Sequence, residues 1–499
     1  MGHRQMTHAV QRTVEWIRQR SPVALHVWVL VWAASTCAGE ERRQSFDREP
    51  DWVAVRNRTP RSLPKKVRQD FGFSPTRHAR GTAEGELGGW ITPAAEAAYV
   101  AKPIAPRTLQ DPLSAAGTFL AEGRQFHVLL GFFHSETLNE WRTPNTIALR
   151  LYGRGDRFFA YLEYATARWR AGGDEPVPFP QIKNPAGRLE PLGFAARQSH
   201  RWSLQYDPMG NQGQGVVTAS IDGVEAVCEL AAGHKLDGAR FNRCGLMTVM
   251  KHLDSGGAVW VDDMTILGEF ERFSGDPGWD EFQNRRDYTS RDIRPQFNFG
   301  YSPTQFAGGA AVGELGGLVF RGDCRDVATL ACYADRVGPL SLHRPLRAQG
   351  RVSLRRGVSD STTLLGFFDS KKSLQVSTSQ RSGIPDSFLG LAIEGPSREG
   401  FFMYPVYRFD GQGGVASGPQ RPRLVPDGRS HLWSLNYVPP QRGRGGRISV
   451  RLGGEMVELP VAGERRSGTT RFDRFGLVTT WIDGNGQVVY FDDLSYTCR

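Results

Sequence analysis

Apolar residues in this chain gather in short runs instead of recurring at helical spacing. Residues 148–152 (ALRLY), 158–166 (FFAYLEYAT), 216–221 (VVTASI) and 352–354 (VSL) are rich in apolar, aromatic or β-branched side chains. Turn formers bound such runs at 153–156, 208–215, 222–223 and 453–454, the punctuation of strands. No 3.6-residue period is sustained beyond residue 39, so long helices are not expected there. The run LLGFF, at 129–133 and again at 364–368, is apolar without alternation, as in a strand buried on both faces. About a dozen strands in each half predict an all-β chain of two tandem antiparallel β-sandwiches.

LLGFF is one of several matches between the halves. FSPTRHARGTAEGELGG at 73–89 returns as YSPTQFAGGAAVGELGG at 301–317, with 11 of 17 positions identical. Phe46, Pro50, Trp52, Asn57 and Arg58 return at the same spacings as Phe273, Pro277, Trp279, Asn284 and Arg285. RFNRCGLMT at 240–248 matches RFDRFGLVT at 471–479, and VWVDDMTIL at 259–267 matches VYFDDLSYT at 489–497. The matches come in one order, so the chain is a collinear repeat with units at 46–270 and 273–499. Only Glu271 and Arg272 separate them, which predicts two domains in contact.

Charge and cysteine content narrow the setting. The net charge of +10 would suit a polyanion, but Lys and Arg alternate with Asp and Glu and form no run, so nucleic acid is not an expected partner. Residues 1–39 read as an export signal: Arg4, Arg12, Arg18 and Arg20, then an apolar run at 23–34, then the small residues 35–39. The run falls short of the roughly 20 apolar residues that span a bilayer, and no later segment approaches that length. A protein secreted to the cell surface or periplasm, with no membrane span after signal removal, is expected. Five cysteines follow Cys37 without a CxxC pair, which speaks against zinc. Disulfides such as Cys228–Cys244 or Cys324–Cys332 stand beside the alternative that Cys244, opposite Phe475 of the second unit, is a small core residue.

A closing strand of apolar residues, two aspartates and a further apolar position, at the end of an all-β unit of this size, resembles concanavalin A-like jelly rolls. These include laminin G-like lectin and glucanase domains. The resemblance implies concave-faced sandwiches, glycan binding and often a structural Ca²⁺. Glucanases of that fold carry an ExDxxE strand, which occurs nowhere in this chain.

The candidate residues divide into framework and site. Alternation along a strand puts Asp262 on the face of Trp260, Met264 and Ile266, and Asp492 on that of Tyr490, Leu494 and Tyr496. A carboxylate there needs a cation, backbone N–H groups or a metal, so both are candidate Ca²⁺ ligands as well as structural acids. Glu86 and Glu314, within GELGG, are expected to brace a sheet corner. Trp52, Asn57 and Arg58, like Trp279, Asn284 and Arg285, are expected to staple each opening segment to its own sandwich. Trp141, Arg142 and Asn145, replaced by Ser382, Gly383 and Asp386 in the second unit, form a candidate glycan groove with Tyr161, Glu163 and Trp169. No shared histidine site is expected, since Phe306 and Asp369 stand opposite His78 and His134. A secreted, polysaccharide-directed carbohydrate-binding protein without chemistry of its own is the leading expectation. A polysaccharide lyase or hydrolase, and a structural or adhesive surface protein, are the alternatives.

Overall fold

Four large antiparallel sheets carry the chain, two in each half, in a computed structural model. It describes residues 40–59, 65–94, 96–136, 143–249, 255–290, 296–378, 383–397, 399–418, 420–441, 445–461 and 470–499. The export-signal reading of 1–39 therefore lies outside the described residues, and among the described residues no helix is long and apolar enough to cross a membrane.

In sandwich one the back sheet runs Val224–Glu229, Val216–Ile221, Ser199–Asp207, Leu113–Gln125, Gly256–Ile266, Glu86–Ile91, Lys65–Ser74, Arg285–Ser290. Its front sheet runs Ala171–Pro178, Arg157–Ala165, Thr146–Arg154, His127–Phe133, Arg240–Thr248, Tyr99–Thr108, Asp280–Phe282. Alternation turns Leu130, Phe132, Leu149, Phe158 and Leu162 inward onto Leu87, Phe119, Trp202, Val217 and Val259, in one core. Leu129 and Phe133 join a second cluster with Tyr99, Ala101, Ala148, Met247 and Val249 on the other face, so LLGFF is buried on both sides. Cys244 packs fully buried in the main core, and the five described cysteines are free thiols.

Sandwich two repeats this plan, with Gly486–Thr497 central in its back sheet and Thr362–Phe368 in its front sheet. The exchange of opening segments departs from expectation. Val53–Val55 pairs with Cys332–Ser341, and Glu41–Gln44 pairs with Gly486–Thr497, both in sandwich two. Trp52 lies in the sandwich-two core, with ring centroids 5.6 Å from Tyr333 and 6.2 Å from Tyr496. Asn57 Nδ2 donates to the Phe299 carbonyl (2.5 Å), and Phe299 N donates to the Asn57 carbonyl (3.1 Å). Arg58 donates to the Tyr301 carbonyl at 2.9 Å.

The second opening segment makes the mirror-image contacts on sandwich one. Trp279 is in that core, Asn284 Nδ2 donates to the Phe71 carbonyl (2.6 Å) and Arg285 to that of Phe73 (2.5 Å). Asp280–Phe282 and Arg285–Ser290 pair with Tyr99–Thr108 and Lys65–Ser74. Each FxxxPxWxxxxNR segment thus completes the sandwich that does not follow it, and strand pairing crosses the sequence boundary at 271–272. The N-terminal segment closes sandwich two across almost the whole chain. The reason is geometric: each strand edge accepts the same motif, and the segment that enters after sandwich one in sequence is already beside it. Replacing Asn57 by Leu removes the buried Nδ2 donor and leaves the Phe299 carbonyl one bond short, and about 1–3 kcal/mol of destabilisation is expected in a denaturant titration.

Candidate functional site

The front sheet of sandwich one carries half-buried aromatic side chains on its outer face. Tyr152 lies opposite Phe159, and Arg150 opposite Tyr161, across neighbouring strands, so the four share that face. Arg150 and Glu163 are both nearly buried and pair at 2.6 Å. Two isolated charges would be costly at such burial; the pair offsets this, and the Arg150 guanidinium also lies 4.5 Å from the Tyr161 ring centroid. The Tyr152 ring stacks on His127 at 4.3 Å, with planes 13° apart. The resulting surface has ring edges and faces at the spacing of a sheet, held from below by stacking and an ion pair.

Sandwich two buries the positions corresponding to Phe159, Tyr161 and Glu163. Register through Gly131 and Gly366 sets Phe402 against Phe159, Tyr404 against Tyr161 and Val406 against Glu163. Phe402 is fully buried and Tyr404 is 7 % exposed. Arg421 lies 4.0 Å from the Phe402 ring centroid and 5.0 Å from that of Tyr404, and pairs with Glu394 at 3.2 Å. Arg408 lies 5.0 Å from the Trp481 ring centroid and donates to the Ile384 carbonyl, while Trp481 Nε1 donates to the Ser373 carbonyl. This face is filled by the chain's own side chains, so the two sandwiches differ at one location of one fold.

The repeated acids form a brace on the back sheets. Glu86 is fully buried and accepts from Thr76 Oγ1 (2.5 Å), His78 N (2.8 Å) and Ala79 N (2.7 Å). Glu314 accepts from Thr304 Oγ1, Phe306 N and Ala307 N in the same way. Asp262 accepts from Gly81 N (3.0 Å) and from Asp263 N (2.7 Å), and Asp493 N donates to Asp492 at 2.7 Å. The expected face-sharing is half right. Asp263 and Asp493 have φ of 46° and 48°, and the ladder slips between Asp262 and Thr265. A bulge there inserts one residue, so Met264 and Ile266, like Leu494 and Tyr496, point into the cores while Asp262 and Asp492 stay on the faces of Trp260 and Tyr490.

Calcium does not fit these carboxylates. Ca²⁺ takes six to eight oxygens, whereas the groups aimed at Asp262 are backbone N–H donors, and among the described residues no group of three His, Cys, Asp or Glu could hold a metal. Burial pushes the Asp262 carboxyl up to about 6 and that of Asp492 up to about 7, reinforced by the adjacent Asp263 or Asp493 and by Glu86 or Glu314. An unfolded aspartate titrates near 3.9, so the folded state binds the extra proton. The stability it contributes is present at low pH and is lost as pH rises through about 6 and about 7. The melting temperature of wild type minus that of Asp492→Asn should therefore fall between pH 5 and pH 8, and a chelator should shift neither protein. A pH-independent difference contradicts this.

The candidate groove residues do not assemble as one set. Tyr161 and Glu163 share the outer face described above, and Phe159 and Tyr152 join them. Those two were legible as same-parity positions of the strands at 148–152 and 158–166. Asn145, at φ 57°, accepts from Arg240 N (3.0 Å) and fixes the entry to Thr146–Arg154. Trp169 leaves the face because its strand ends at Ala165; it sits in the following turn at φ 59° and packs on Phe401 of sandwich two, 5.8 Å between centroids. Trp141 and Arg142 lie outside the described residues.

No family model matches this chain, and no curated protein matches it. Solved structures similar to it include the mouse laminin alpha1 chain, domains LG4-5, at 10% identity and TM-score 0.24, covering 86% of this chain and 92% of that one. An alginate lyase from Chlorella virus is similar at 13% identity and TM-score 0.27, covering 40% of this chain and 89% of its own. An endo-beta-1,4-glucuronan lyase from the fungus Trichoderma reesei is similar at 10% identity and TM-score 0.24, covering 48% and 98%. The two halves are antiparallel β-sandwiches. Function rests on this chain's own residues.

Proposed function

We propose that the protein binds polysaccharide through the outer front face of sandwich one, and that sandwich two is its scaffold. The observation that carries this is the exposure contrast: Phe159 and Tyr161 are half-buried, while Phe402 and Tyr404 at the matching positions are covered. Saccharide rings present flat C–H faces that stack on such aromatic rings, and their hydroxyls take hydrogen bonds from flanking polar groups. Arg150 and Glu163 hold Tyr161 in place, which lowers the ordering cost on binding.

The test is affinity electrophoresis in gels containing neutral and acidic polysaccharides, with released sugar assayed in parallel. Retention of wild type and at least a tenfold weaker retention of Phe159→Ala and Tyr161→Ala, with unchanged melting, is expected; one stacked ring contributing about 1.4 kcal/mol gives that factor. Equal retention of the variants contradicts the assignment. Release of sugar replaces a binding protein by an enzyme.

A further inference from the structure

At one end of the proposed face the chain leading from Leu113–Gln125 into His127–Phe133 is tied to the end of Thr146–Arg154. Gly153 N donates to the Phe126 carbonyl (3.0 Å), and Gly155 N to that of Gly123 (3.3 Å). Beside this tie lies an open cavity of about 610 Å³ lined by Arg124, Gln125, Arg154, Gly155 and Ser255, within the range of roughly 300–1,000 Å³ usual for ligand sites. Arg124 and Arg154 are exposed, and no acidic side chain among the described residues pairs with either. The guanidinium of Arg154 is positioned: its Nε donates to Tyr152 Oη (3.2 Å), and it lies 5.7 Å from the Tyr152 ring centroid. Arg154, Tyr152 and Arg150 are alternate residues of one strand, so the cavity continues the aromatic face.

Two guanidinia from different strands, neither paired with a carboxylate among the described residues, make a cationic site that the fold itself does not require. Arg197, on the same sandwich, has Glu122 beside it at 3.6 Å. Sandwich two supplies the internal comparison. Ser359 and Asp360 replace Arg124 and Gln125 there. Ser359 is buried, its carbonyl accepts from Asn485 Nδ2 (2.8 Å), and Arg321 lies 4.0 Å from Asp360. The same corner is closed by protein groups in one copy and left open, basic and unpaired in the other.

We infer that Arg124 and Arg154 form a subsite for an oxyanion, carboxylate or sulfate, carried by the saccharide on the front face of sandwich one. This rests on the polysaccharide reading above and names the class of chain: an acidic one. Guanidinium is the group suited to it, because its planar fork gives a carboxylate or sulfate two parallel hydrogen bonds. Each such charge-assisted contact made in a partly enclosed site strengthens binding by about tenfold.

The experiment uses the whole chain and chemically matched polymers: pectate against fully methyl-esterified pectin, and dextran sulfate against dextran. Wild type should bind at least one polyanion ten or more times tighter than its neutral partner. Arg124→Gln/Arg154→Gln should lose that preference and keep the neutral affinity. Arg188→Gln/Arg201→Gln, which removes the same charge from exposed positions elsewhere on sandwich one, should keep the preference. Preference for pectate alone, or for dextran sulfate alone, assigns the oxyanion as carboxylate or as sulfate. Equal binding of neutral and acidic partners overturns the subsite and leaves the polysaccharide reading standing. Equal loss in the two double variants overturns it as general charge attraction, and binding to none of the four polymers overturns both proposals.

Discussion

Trp52→Ala is expected to unfold sandwich two first, by about 3–5 kcal/mol, although Trp52 precedes sandwich one in sequence. The indole is 8 % exposed and sits among Phe46, Tyr333 and Tyr496, with centroid distances of 5.3, 5.6 and 6.2 Å. Its removal leaves a cavity in a core whose other buried members, Phe46 apart, lie beyond residue 296. The segment that carries it is held by Glu41–Gln44, Val53–Val55 and the Asn57 bonds, so loosening one contact loosens a strand edge on each sheet. Trp279→Ala is the reciprocal case, since Trp279 packs on Phe273 at 5.2 Å within the sandwich-one core. Hydrogen exchange resolves the two. Trp52→Ala should raise exchange in Glu314–Phe320 and Gly486–Thr497, and Trp279→Ala in Glu86–Ile91 and Gly256–Ile266. Loss of protection in the opposite sandwich would contradict the exchanged closure.

The second large effect concerns the glycines over the aspartates. A Cβ on Gly309 would stand 1.9 Å from Asp492 Oδ2, and one on Gly81 would stand 2.0 Å from Asp262 Oδ2. Gly81 cannot withdraw without giving up the bond from its own N–H to that carboxylate. Gly309→Ala and Gly81→Ala should therefore destabilise by about 2–4 kcal/mol, overpacking combined with a lost buried bond. Gly454→Ala, whose new Cβ meets nothing within 4 Å, is the control and should be near neutral. If the clash is the cause, shortening the acid in Gly309→Ala/Asp492→Ser should recover part of the loss, a non-additive pair in a melting series. Simple additivity would place the cause elsewhere.

Much of this was legible in the residues. Short alternating runs predicted strands, LLGFF predicted a strand covered on both sides, and the collinear matches predicted two similar sandwiches. The destination of the opening segments was not legible, and the reason is the repeat itself. Trp52–Asn57–Arg58 and Trp279–Asn284–Arg285 carry the same donors at the same spacing, so either fits either sandwich. The face of Met264 was misread because strict alternation cannot foresee the bulge at Asp263, where a non-glycine residue takes a positive φ. Trp169 was misplaced by extending the same parity past the strand end at Ala165. Of the proposed site, Tyr161 and Glu163 were found by parity. Arg124 and Arg154 were not, because an unpaired arginine is defined by the acid that fails to lie near it in space.

The division of labour between the sandwiches is tested most directly by hydrogen exchange of the whole chain with and without a retained polysaccharide. Bound polymer should protect 123–127, Thr146–Arg154 and Arg157–Ala165, and leave Phe388–Ser397 and Gly400–Phe409 unchanged. Protection confined to the sandwich-two strands, or spread equally over both, would contradict the account.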